Sequence, residues 1–169
     1  MRLIKFAFIS LIVLFLVLTA LSFLFPSRLR VSRAINVAAP REKIDAAIGD
    51  LRQWEHWNRF IKATPLTKQA FSTPSSGVGS FLHSDQLSLT VTAADPDSVA
   101  LDWRLSSGKH FEGGYNIVQN GGDSIVIQSW FDFHFRWYPW EKLGILVYDK
   151  NFGPIMEGSL SDLKQYLEN

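Results

Sequence analysis

From Phe6 to Phe25 the chain runs through 20 consecutive uncharged residues, interrupted only by the hydroxyls of Ser10, Thr19 and Ser22. At about 1.5 Å per residue such a run makes roughly 30 Å of helix, the thickness of a bilayer's hydrocarbon core. Leu, Phe, Ile and Val surround that helix and leave no polar face, which argues against a helix lying flat on a membrane. A cleaved signal peptide has a shorter apolar stretch, about 7–15 residues, followed by a small-x-small site. Ala20-Leu21-Ser22 is a weak version of that site, and the apolar run continues past it through Phe23-Leu24-Phe25 to Pro26-Ser27-Arg28. Residues 1–28 are therefore expected to form an uncleaved single-pass anchor, inserted through residues 6–25, in a bacterial inner membrane. Arg2 and Lys5 at one end nearly balance Arg28, Arg30 and Arg33 at the other, so the positive-inside rule does not orient the span.

The formal charge of +1 divides unevenly. Residues 1–33 hold five basic side chains and no acid, whereas residues 34–169 hold all 16 acids and carry a net −4. A net-negative body argues against nucleic acid as a partner. With no cysteine, the chain has neither a disulfide framework nor a thiolate-ligated metal. At 47% hydrophobic and 20% charged residues it is not a disordered chain. Residues 29–169 are long enough for one well-formed core.

Turn clusters divide that part at Thr73-Pro74-Ser75-Ser76-Gly77, Asp95-Pro96-Asp97, Ser106-Ser107-Gly108 and Asn120-Gly121-Gly122-Asp123. Between them the apolar pattern has period two. Leu29, Val31, Ile35 and Val37 share a face that Arg33 interrupts. Leu87, Leu89, Val91 and Ala93 form a second row, and Val99, Leu101, Trp103 and Leu105 a third. Residues 125–137 place Ile125, Ile127, Phe131, Phe133, Phe135 and Trp137 opposite Gln128, Asp132, His134 and Arg136, with Trp130 a misfit on the polar side. Such alternation predicts an antiparallel sheet with one wet face. Segments 79–84 and 109–119 complete it with a noisier pattern.

Pro40 opens a helix whose Ile44, Ala47, Ile48 and Leu51 form one stripe. A second short helical piece carries Trp54, Trp57, Phe60 and Ile61. Phe152, Ile155, Met156, Leu160, Leu163 and Leu167 keep helical spacing to the C-terminus, and Gly153-Pro154 is expected to start or kink that helix. The fold class is α+β, with the terminal helix covering the apolar face of the sheet.

Four stretches carry a resemblance. Arg33-Ala-Ile-Asn-Val-Ala-Ala-Pro40 resembles a first strand running into an Ala-Pro helix start. Asp50-Leu-Arg-Gln-Trp-Glu-His-Trp-Asn58 is similar to a Leu-x-x-Trp-x-x-Trp-Asn segment. Residues 115–139 look like a final strand pair ending in an aromatic-then-Pro step. Leu160-Ser-Asp-Leu-Lys-Gln-Tyr-Leu-Glu168 resembles a closing Leu-x-x-Leu-Lys helix. Together they resemble the START-like, polyketide cyclase/dehydrase and lipid-transport (SRPBCC) superfamily, including its membrane-anchored members. The resemblance implies the helix-grip fold: a curved antiparallel sheet of about seven strands around a long C-terminal helix. It also implies a deep apolar pocket for a lipid or other small hydrophobic molecule. It carries over no universal catalytic residue and no cofactor.

The residues most concerned are Trp103, Phe111, Tyr115, Phe131 and Phe133 on the sheet, with Phe152 and Met156 facing them from the terminal helix. As a pocket lining they bind the ligand and the Tyr115 hydroxyl orients its polar group. As a packed core they fill the same space. Gly113 and Gly114 lower the bulk beside Tyr115, which gives a ligand room, or they mark a bulge. Trp54 and Trp57, three apart, either gate the mouth or plug the end of the core.

Other chemistry finds less support. His56, His83, His110 and His134 form no HExxH-like pairing. His110 and Glu112, and the trio Asp132, His134 and Arg136, read as a solvated face with cross-strand ion pairs rather than a relay. Gly77-Val78-Gly79-Ser80 lacks the features of a phosphate loop and reads as a turn before a strand. The expected function is membrane-tethered binding of a hydrophobic ligand without chemistry. Two alternatives stand beside it. One is an enzyme of cyclase or hydrolase type, using Tyr115, Ser129, Gln119 or Arg33. The other is an interaction module with a filled core.

Overall fold

Period-two patterning builds a sheet with one covered face. The computed structural model, which describes residues 2–62, 69–119 and 124–169, contains that sheet. The elements are α1 (Arg2–Ser22), β1 (Arg28–Val37), α2 (Arg41–Gly49), α3 (Trp54–Trp57), α4 (Arg59–Lys62), β2 (Ala70–Phe71), β3 (Phe81–His83), β4 (Leu87–Asp95), β5 (Ser98–Leu105), β6 (His110–Gln119), β7 (Ile125–His134), α5 (Pro139–Leu143) and α6 (Ile145–Glu168). The strands form one seven-stranded antiparallel sheet in the order β1-β7-β6-β5-β4-β3-β2. With α6 laid across its apolar face this is the α+β helix-grip arrangement. The turn at 120–123 lies outside the described residues.

The apolar rows point inward as their spacing requires. Val31, Leu89, Leu101, Trp103, Ile127 and Phe131 of the sheet are buried in one core cluster with Met156, Leu160, Leu163 and Leu167 of α6. Each such side chain contributes about 1.5–3 kcal/mol on burial. The sheet's wet face is laced by polar pairs: Arg30 forks onto Asp132, and Asp102 accepts from Arg104 and hydrogen-bonds the His110 ring. The Arg30 guanidinium also lies 4.9 Å from the Trp130 ring, which accounts for an aromatic residue on the polar side.

Three expectations need correction. The terminal helix begins at Ile145, well before Gly153-Pro154, and Pro154 sits inside it. Proline forgoes one backbone bond, yet the helix passes through it, and Arg33 from β1 bonds Asp149 and Glu157 on either side of that point. Gly153 gives the Arg33 guanidinium its place, since a Cβ there would stand 2.5 Å from Nη2. The last strand ends at His134, and residues 135–138 leave the sheet before a short α5. Gly113 and Gly114 mark neither free room nor a bulge. A Cβ on Gly113 would meet the Phe131 ring at 2.1 Å, and one on Gly114 would meet the Val99 carbonyl oxygen at 2.1 Å. The pair lets Phe131 and strand β5 approach closely, with unbroken register on both sides. The Gly77–Gly79 segment is a turn, both glycines having positive φ (87° and 85°), and leads into β3 as the sequence suggests.

α1 stands apart from this body. Leu3–Ser22 is long and apolar enough to cross a membrane, and none of its membrane-length stretch is buried. Among the described residues its main contact with the rest is with α5. Ser22 Oγ donates to the Trp137 carbonyl at 3.3 Å, and the buried Lys142 Nζ donates to the Phe25 carbonyl at 3.1 Å.

Candidate ligand-binding cleft

The ladder between β6 and β7 ends at Glu112 and Asp132. Beyond that pair β6 continues with β5 as far as His110, whereas β7 continues with β1 as far as His134. The sheet therefore parts at this end, and the start of the helical cover stands over the opening. The result is a cleft of about 650 Å³, in the size range of small-molecule sites. Phe111, Phe133, Phe135 and Tyr148 give it apolar walls. Lys109, His110, Glu112, His134, Arg136 and Glu141 supply a charged margin, and Trp140 and Gly144 close the side nearest α5. Mixed polarity follows from the parting, because neighbouring residues on a strand point to opposite faces and a gap between strands exposes both.

The apolar walls are built from ring contacts. Phe133 and Tyr148 meet edge-on at 4.6 Å, Phe135 and Tyr148 at 5.0 Å, and Phe111 and Phe133 at 4.9 Å between centroids. Lys109 Nζ lies 5.5 Å from the Tyr148 ring centroid. Burial and the nearby Glu141 carboxylate both push the Tyr148 phenol above its ordinary pKa, so it stays a neutral hydrogen-bonding group.

A second, smaller cavity of about 140 Å³ opens beside Trp103, Phe111 and Phe152, under Phe60 and Leu105. Phe111 is common to both spaces. Trp103 is buried, and its indole N–H has no hydrogen-bond partner among the described residues. An unmet buried donor costs about 1–3 kcal/mol, so such groups usually have a reason. The other two core indoles are satisfied: Trp54 Nε1 donates to the Ile48 carbonyl at 2.9 Å and Trp57 Nε1 to that of Ala47 at 3.2 Å.

Of the seven residues singled out by sequence, Phe111 and Phe133 line the large cleft, and Trp103, Phe111 and Phe152 line the small cavity. Phe131 and Met156 are buried in the core between sheet and α6 and line neither. Tyr115 also lies behind them. Trp54 and Trp57 meet its ring edge-on at 5.4 and 5.5 Å, and both tryptophans are fully buried, so they plug the core there. Asn58 Nδ2 donates to the Tyr115 hydroxyl at 3.3 Å. Burial drives the Tyr115 phenol far above its ordinary pKa, against the opposing effect of a hydrogen bond with Ser129. Arg33, another polar candidate, is committed to α6, and Gln119 lies exposed at the far end of β6. Among the described residues no group of three or more His, Asp or Glu is placed to hold a metal.

Sequence reading missed Phe135, Trp140 and Tyr148 as site residues. Tyr148 lies four residues before Phe152, one helical turn earlier on the same face, and a helix expected to start or kink at Gly153-Pro154 does not reveal it. Phe135 was counted in its strand, but no pattern shows that the strands part beside it.

Fold and cleft together can be set beside known proteins. The family model described as polyketide cyclase/dehydrase and lipid transport matches residues 28–168. The chain belongs to this family. Its members bind hydrophobic ligands, and the match begins where β1 begins, after the apolar helix. Among the curated proteins none matches the chain. Solved structures share the fold. CalU16 from Micromonospora echinospora superposes with a TM-score of 0.56 at 11% identity, over 82% of this chain and 65% of that one, so the chain spans under two thirds of that protein. A START superfamily protein from Mycobacterium smegmatis gives 0.55 at 20% identity, over 82% and 97%. A truncated norcoclaurine synthase from Thalictrum flavum gives 0.51 at 17%, over 80% and 92%.

Proposed function

We propose that this chain is a membrane-tethered binding protein for a lipid or other small amphiphile, held between the parted end of the sheet and the start of α6. The observation that supports this most is the cleft itself, with walls of Phe111, Phe133, Phe135 and Tyr148 and a charged margin. Apolar walls take an acyl or ring portion, and the margin takes a polar head. Trp103 and Phe152 extend the apolar wall behind Phe111, and the unmatched Trp103 N–H offers a donor to a carbonyl or hydroxyl of the ligand. Tyr115, Phe131 and Met156 form the floor behind that wall.

Residues 1–28 serve as the anchor and residues 29–169 as the binding domain. The domain's net charge gives it no attraction to anionic lipid, so the anchor keeps it where an apolar ligand is concentrated. Mass spectrometry of material extracted from the purified full-length protein tests the reading. A stoichiometric amphiphile supports it. A chain that carries no such molecule and binds no hydrophobic probe contradicts it.

A further inference from the structure

Around the junction of α1 with α5 lies the largest group of exposed aromatic side chains outside α1 itself. Trp137 is 54% and Trp140 63% exposed, and beside them Phe23 is 70% and Leu24 79% exposed. The other four tryptophans are buried or covered: Trp54, Trp57 and Trp103 in the core and Trp130 under Arg30. Trp137, Tyr138 and Trp140 form a contiguous series, the first pair tilted at 43° with centroids 4.8 Å apart and the second stacked at 4° with centroids 5.1 Å apart. The series is fixed to the end of α1 by Ser22 to the Trp137 carbonyl and by Lys142 to the Phe25 carbonyl. Lys142 Nζ also lies 5.9 Å from the Phe23 ring centroid.

We infer that Trp137, Tyr138 and Trp140 form an interfacial seat that lies in the headgroup layer of the bilayer α1 crosses, and that this seat turns the cleft toward the membrane. The inference rests on the tethering reading above. Three observations carry it. Phe25 ends the apolar run, so a segment bonded to its carbonyl stands at the hydrocarbon edge. Tryptophan and tyrosine are the side chains that favour that layer, with an apolar ring and a polar edge. Phe23 and Leu24, which follow α1, and the two indoles are all exposed, and Lys142 contacts both the Phe23 ring and the Phe25 carbonyl. Trp140 also lines the cleft. A ligand leaving the bilayer beside the seat therefore meets the cleft without crossing water.

The test uses the full-length protein reconstituted in vesicles whose lipids carry bromine at a set depth. Alkaline extraction first establishes that α1 is inserted. Shallow bromines are expected to quench tryptophan fluorescence more than bromines at mid-chain, and Trp137→Phe with Trp140→Phe is expected to remove most of that quenching. Inserted protein whose quenching is unchanged in the double variant overturns the seat and leaves the anchor standing. Protein that washes off the vesicles overturns both.

Discussion

The rings of Phe111 and Phe133 approach to 4.9 Å one residue beyond the last ladder pair of their strands, Glu112 and Asp132. Side-chain packing holds the two strands together where backbone hydrogen bonding has ceased. A gap bridged by rings rather than by a ladder can open by side-chain motion, at a cost well below that of breaking backbone pairs. The cleft opens at this same place.

Phe135 is half-buried in the cleft wall, and its replacement tests occupancy. Phe135→Glu places a carboxylate among Phe133 and Tyr148 without removing a core side chain. Titration with a fluorescent hydrophobic probe should show at least about a tenfold loss of affinity, equivalent to 1.4 kcal/mol. The melting temperature should move little. An unchanged affinity contradicts the placement.

Trp103 makes a spectroscopic prediction. Its indole N–H is unpartnered among the described residues, whereas those of Trp54 and Trp57 are bonded to carbonyls. On addition of an amphiphile bearing a carbonyl or hydroxyl, the Trp103 indole cross-peak in a nitrogen–proton spectrum should move downfield. The Trp54 and Trp57 peaks should stay. A Trp103 peak unmoved at saturation contradicts a polar contact there.

Gly114 predicts a packing cost. A Cβ would stand 2.1 Å from the Val99 carbonyl oxygen and 3.1 Å from the Ala100 Cα, both backbone atoms that cannot turn aside. Gly114→Ala should lower stability by about 1–3 kcal/mol or more, read from chemical denaturation. Gly158→Ala should cost less, because the atoms it meets, from Cδ to the guanidinium, all belong to the Arg59 side chain rather than to backbone.

Acid should weaken the domain through two carboxylates. Hydrogen bonding to Arg30 holds Asp132 below the usual carboxylate range, and hydrogen bonding to Arg59 does the same for Asp162. A depressed folded pKa gives stability that is full above the unfolded value, about 3.9, and is lost as pH falls through the folded value. Stability measured against pH should therefore fall on the acid side below about pH 4. Asp132→Asn with Asp162→Asn should flatten that limb, and an unchanged limb would assign it to other groups.

Much of the architecture was legible from residue spacing. Val99, Leu101 and Trp103 alternate, and Leu160, Leu163 and Leu167 share a helix face, because burial selects side chains with the period of the backbone. The pocket was less legible. Phe131 and Phe133 have the same residue type and the same face of one strand, yet one is packed under the helix and the other lines the cleft. What separates them is where β6 and β7 stop pairing, a property of the two strands together. Pro154 misled for a related reason. Its local preference to begin a helix gives way to tertiary packing, since Met156, Leu160, Leu163 and Leu167 of the same helix are buried in the core.

Photo-crosslinking tests the central claim most directly. Full-length protein in bilayers containing a fatty acid or phospholipid with a photoreactive group on its chain is irradiated, digested and mapped by mass spectrometry. Ligand binding in the parted end of the sheet predicts adducts on the segments 108–112 and 133–148, competed by excess unlabelled lipid and diminished by Phe135→Glu. Adducts confined to the apolar helix Leu3–Ser22, unaffected by competitor and by that substitution, would contradict it.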